Sequence, residues 1–134
     1  MSLFDLTDTV YNCLKSTAFP EGTAVIKAFP YIDKPTRLEN AVIAVTPGET
    51  ELESAGIGAC EQYGEVKVRA DIFSPQQNGS EALLAVTRTA VTAGLELSPL
   101  KIYVSPVGAE DRLSCLCCSC IFTFDIQTEN AAEV

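Results

Sequence analysis

The sequence predicts an α+β fold: a two-layer domain with two helices on one face of a mostly antiparallel, mixed β-sheet, in the order α-β-β-β-α-β-β. Three observations carry that prediction. Residues 65–73 alternate strictly, with Val66, Val68, Ala70 and Ile72 on one side and Glu65, Lys67, Arg69 and Asp71 on the other, the pattern of a half-buried strand with a charged outer face. Two other segments repeat their apolar residues at three- and four-residue intervals, which is helical spacing. The last long segment alternates again: Leu116, Cys118, Cys120, Phe122, Phe124 and Ile126 share one face, and Cys115, Cys117, Ser119, Ile121, Thr123 and Asp125 share the other.

In chain order, Ser2 is placed to cap the first helix and Asp5 lies near its positive end. Leu3, Leu6, Val10, Cys13 and Leu14 form its apolar stripe, and the helix is expected to stop by Thr17, ahead of Pro20-Glu21-Gly22. Thr23–Phe29 reads as a strand, Pro30 and Pro35 mark an irregular link, and Ala41–Val45 gives a short apolar run of strand length. Residues 47–64 contain Gly48, Gly56, Gly58 and Gly64 with Glu49, Glu51, Glu53 and Glu61. They are expected to form a long acidic, Gly-rich loop, although the alternation over 49–53 also suits an exposed hairpin arm. After the 65–73 strand, Ser80 is the expected N-cap of the second helix, with Ala82, Leu83, Val86, Ala90 and Val91 on its apolar side and Gly94 at its C′ position. Leu100–Ser105 is the next strand, Pro106-Val107-Gly108-Ala109 a turn, and the strand ending in two phenylalanines follows. Residues 128–134 are polar and acidic and are expected to fray.

The 134 residues suit a single domain over 1–134. Nine Lys and Arg against eighteen Asp and Glu leave a formal charge of −9, with a pI near 4.3. That balance argues against a nucleic-acid backbone or an anionic membrane as the binding surface. No apolar run approaches the ~18–20 residues of a membrane span, and Met-Ser-Leu-Phe-Asp lacks the layout of a secretory signal, so a cytoplasmic location is expected. The chain contains no histidine, which removes imidazole as base, proton shuttle or metal ligand.

Six cysteines are present: Cys13, Cys60, Cys115, Cys117, Cys118 and Cys120. Four fall within CLCCSC, where residues on one strand face lie too far apart for a comfortable disulfide and neighbours point to opposite faces. No second pair accompanies them at zinc-site spacing. They read as small apolar residues of a reducing compartment, and a metal- or thiol-active binding module is the alternative. Cys60 is the cysteine most open to reaction, yet no cation stands near it in sequence to lower its pKa.

No catalytic residues, cofactor site or metal site are expected. The carboxylates Glu110-Asp111 occupy a hairpin tip, and Gly56-Ile57-Gly58-Ala59-Cys60 has no basic residue to meet a phosphate. Neither a nucleophile elbow nor a phosphate-binding glycine loop is found. An enzyme is therefore not expected.

The C-terminal half runs as a strand (VKVRADIFSP), a polar loop, a capped helix (SEALLAVTRTAVTAG), a short strand (LKIYVSP), a hairpin and a long last strand (LSCLCCSCIFTFDIQ). With the amphipathic helix in front, this arrangement resembles the tail terminator, or tail-completion, proteins of long-tailed bacteriophages and prophages, over about Leu3 to Gln127. The resemblance implies a structural subunit that forms a ring, usually a hexamer, on the end of the tail tube, stops its polymerisation and joins it to the head. It implies as partners the chain itself, a tail tube protein and a head-completion or connector protein, with DNA only as passing cargo. The implied location is the bacterial cytoplasm during assembly and then the virion tail. Other neck, connector or tube proteins fall in the same class. On this reading Glu49, Glu51, Glu53 and Glu61 are candidates for the ring lumen or a subunit contact.

Overall fold

The computed structural model describes residues 5–19, 23–27, 40–54, 61–110 and 114–129. In chain order the elements are α1 (Asp5–Lys15), β1 (Ala24–Lys27), β2 (Val42–Ser54), β3 (Glu61–Pro75), a single 3-10 turn (Gln76–Asn78), α2 (Gly79–Leu95), β4 (Lys101–Val104), β5 (Gly108–Glu110) and β6 (Cys115–Glu129). One open, mixed sheet runs β1-β2-β3-β6-β4, and β5 also pairs with β6. Only β1 and β2 are parallel; the remaining pairs are antiparallel. Both helices pack on one face, so the α+β, two-layer architecture is the one observed.

The alternating apolar residues of the strands build the core against the helices. Val68, Ala70 and Ile72 of β3, Cys120 and Phe122 of β6 and Ile43 of β2 are fully buried. They meet Val10 and Leu14 of α1 and Leu83 and Ala90 of α2. Removing such side chains from water is the dominant favourable contribution to folding. Tyr11 ties α1 to the sheet edge: the Lys27 ammonium lies 5.0 Å from its ring centre and bonds Asp8 at 2.8 Å.

Five local expectations are corrected. Residues 47–64 are not one long loop. β2 continues to Ser54 and β3 begins at Glu61, so the two strands form a long hairpin arm, with residues 55–60 outside the described part. The register shifts between Pro47 and Thr50, a bulge that takes up Gly48 and Glu49. Among the described residues β1 pairs only with 42–45, so no described strand asks Pro47 for the N–H it lacks on that side.

Ser80 is not the N-cap of α2. The 3-10 turn leads directly into the helix through Asn78, which makes no side-chain cap bond. Gly79 between them has φ +80 with open space about it, a conformation that favours glycine. Gly94 is not a C′ residue either: it is buried inside α2, which ends at Leu95. A Cβ there would overlap the Phe122 ring, so glycine serves close helix–sheet packing rather than helix termination. Finally, 108–110 form the short strand β5 instead of a turn, and Thr128 and Glu129 of the expected fray belong to β6. Ser2, Gly56, Gly58, Cys60 and residues 130–134 lie outside the described part.

Candidate functional site

The sheet face away from the helices carries the charged residues, arranged by register into cross-strand rungs. Glu51 pairs with Glu65 and Glu65 with Asp125, so three carboxylates from β2, β3 and β6 lie side by side. All three are exposed. In the next rung Lys67 and Lys101 both register with Thr123. Like charges directly opposite each other repel, while diagonal neighbours of opposite charge attract. Among the described residues no cation lies within ion-pair distance of the acidic rung. The Lys67 ammonium is 3.9 Å from Glu49 on the bulge.

Further along β3, the Arg69 Nε donates to Asp71 Oδ1 at 2.7 Å, and the Ser119 hydroxyl donates to the same oxygen. Ser105 Oγ accepts the Ser119 backbone N–H at 2.8 Å. An open cleft of about 500 Å³ lies beside this network, lined by Thr46, Glu49, Lys67, Arg69, Asp71 and Ile121 among others. Its chemistry is that of paired charges. Asp71 is held by a guanidinium and a hydroxyl.

Of the four glutamates singled out in the sequence, Glu49 sits on the bulge and Glu51 in the acidic rung. Glu53 registers with Tyr63 and Glu61 with Glu129, nearer the tip of the arm. The fold places all four on one arm, although only Glu51 belongs to the aligned rung. Glu65 and Asp125 complete that rung and were not singled out. Alternation puts both on the outward face, but the register that sets them side by side is not written in either strand alone.

The cysteine strand divides as its alternation requires. Cys118 and Cys120 are buried in the core and Cys115 is buried on the opposite face, while Cys117 is half-buried there. The Thr87 hydroxyl donates to the Leu83 carbonyl at 2.8 Å. Its oxygen lies 3.1 Å from Cys118 Sγ, so the thiol donates to it. Burial pushes the Cys115 thiol up to about 11, helped by Cys117 and Glu110. Burial pushes Cys120 up to about 12, helped by Cys118 and Asp71. Cys13, Cys117 and Cys118 are also raised, in each case chiefly by burial. Thiolates are thus disfavoured in these places, the reverse of what a reactive or metal-binding cysteine needs. Among the described residues no group of three or more His, Cys, Asp or Glu is placed to hold a metal ion. No described helix is long and apolar enough to cross a membrane.

No family model matches the chain, and no curated protein does. Among solved structures it is similar to the sheath/tube terminator of an extracellular contractile injection system, PVC, determined by cryo-EM in the extended state. The TM-score is 0.41 and the identity 13%, over 98% of this chain and 59% of that one. The chain thus spans less than two thirds of the length of that protein.

Proposed function

We propose that this chain is a structural subunit of a phage-like tail, a ring-forming tail terminator that caps the tail tube and joins it to the head. One observation carries the reading. The order that resembles the terminator family, strand, loop, helix, short strand, hairpin and long last strand, folds as β3, α2, β4, β5 and β6 around a shared core. The same reading takes the chain to be one domain that assembles with itself, with a tail tube protein and with a head-completion or connector protein. DNA passes through without being bound, and a formal charge of −9 suits a lumen that must not hold phosphates. The arm with Glu49, Glu51, Glu53 and Glu61 then lies at the lumen or at a subunit contact. The polar cleft with its paired charges supports a structural role over a catalytic one.

The test is the molar mass of the purified chain by light scattering over a wide concentration range, followed by electron microscopy. A species near 86 kDa, six times 14.3 kDa, with a central hole supports the reading. A monomer at every concentration that also fails to assemble on purified tail tubes overturns it.

A further inference from the structure

The bare face of the sheet is divided by sign, and the division follows from register. From the bulge to the tip the arm carries Glu49, Glu51, Glu53, Glu61 and Glu65, and β6 brings Asp125 and Glu129 alongside. No Lys or Arg occurs at 48–66 or at 124–129. The row Glu51–Glu65–Asp125 is followed toward the tip by Glu53–Tyr63–Gln127 and then by Glu61–Glu129. Toward the body the sign changes within one row. Lys67, Thr123 and Lys101 register together there, and Thr46, Arg69, Ile121 and Tyr103 make up the row after them. The next carboxylate, Asp71, is already held by Arg69 and Ser119.

The basic rows have little to pair with in their own chain. Lys101 has no carboxylate within ion-pair distance among the described residues, and Lys67 reaches Glu49 at 3.9 Å. Tyr103, 55% exposed, and the half-buried Ile121 stand among these cations. Ile121 also lines the open cleft with Lys67 and Arg69. A partner on this face would therefore remove apolar surface from water as well as meet charge.

The acidic and basic rows share one face and follow each other along the strands, so the face matches itself. A two-fold axis across the strands, between the rows of Glu65 and Lys67, sets each strand against its counterpart in another copy, head to tail. Glu65 then faces Lys67 of the other copy, and Asp125 faces Thr123 between Lys67 and Lys101. The row of Glu53 faces that of Arg69, Ile121 and Tyr103, and symmetry makes each contact twice. Like charges meet at two places only: Glu51 falls opposite the bulge with Glu49, at the margin of the face, and the row of Glu61 falls opposite Asp71, which Arg69 already neutralises.

We propose that two copies of this chain pack bare face to bare face about this axis, each arm lying over the basic rows of the other. The contact is isologous, whereas a ring needs a heterologous one. It is a second interface, independent of the ring reading: it pairs two subunits where no ring forms and stacks two rings where one does.

Light scattering on the full chain tests this with two double variants, Lys67→Glu with Lys101→Glu and Glu65→Lys with Asp125→Lys, each checked for folding by circular dichroism. The formal charge of −9 becomes −13 in the first and −5 in the second. General repulsion would make the second associate more strongly than the wild type; the proposed contact makes both associate at least tenfold more weakly. Their equimolar mixture should recover the doubled species, about twice 14.3 kDa or twice the ring, because a reversed arm meets reversed basic rows. All four substitutions in one chain should recover it too. Lys67→Gln with Lys101→Gln gives the same loss in smaller measure if a reversed variant fails to fold. A wild type that never doubles, a variant that associates as strongly as the wild type, or a mixture without recovery overturns the proposal. Single rings without doubling overturn it and leave the ring reading standing; doubling without rings does the reverse.

Discussion

The two faces of this sheet come from the same strands but obey different rules. On the covered face, Val68, Ala70 and Ile72 of β3 are fully buried, and the packing tolerates little change in volume: Gly94 is glycine because the Phe122 ring occupies the place of its Cβ. On the bare face, the intervening Lys67, Arg69 and Asp71 are held by charges, and what matters is which sign stands opposite which. Stability is concentrated on the first face, and the second carries the charges.

Substitutions sharpen this contrast. Phe122→Ala should be the most damaging, costing about 3–5 kcal/mol through lost burial and the cavity left behind, read from the midpoint of chemical denaturation. Gly94→Ala should cost about 1–3 kcal/mol by overpacking; an unchanged midpoint would mean that α2 can lift from β6 freely. Cys120→Ser buries a hydroxyl where an apolar thiol stood and should cost about 1–3 kcal/mol, more than Cys120→Ala. That order would invert if the cysteine served chemistry rather than packing. At the small end, Glu65→Gln should raise stability by about 0.2–1 kcal/mol and reduce its dependence on salt, because the substitution removes the middle charge of the acidic rung.

The buried thiols predict a pH dependence of definite sign. Cys120 and Cys115 are raised from an ordinary value of 9.0 to about 12 and about 11. Unfolded chains lose these protons first as pH rises, so the stability they contribute is fully present below about pH 9 and is lost progressively between 9 and 12. Thermal melts across that window should fall more steeply for the wild type than for Cys115→Ala with Cys120→Ala.

The sequence made the covered face legible and the bare face only partly so. Period-two alternation in β3 and β6 and helical spacing in α1 identify which side chains turn inward, because burial acts on every residue of the stripe. It could not reveal that β2 continues through Pro47. A proline and glycine together are the usual signs of a loop, and here a bulge takes both into the strand. Nor could it align Glu51 with Glu65 and Asp125, since register depends on how three separate strands slide against one another. Gly94 shows the same limit: a glycine near the end of a helix reads as a terminator until its neighbour across the layer is known.

The position of β6 has a consequence for how the molecule comes into being. It is the last of the described strands in chain order, yet it lies inside the sheet, between β3 and β4, and pairs with β3 along its whole length from Glu61 to Pro75. During translation, then, β1, β2 and β3 emerge with the inner side of β3 still unpaired, and α2 has no Phe122 to close against. The pairing that completes the sheet joins residues far apart in the chain, which makes for slow folding and a long exposed edge while it is awaited. A chain released before Cys115 would keep that edge for good, as a template for aggregation rather than a smaller version of the same fold.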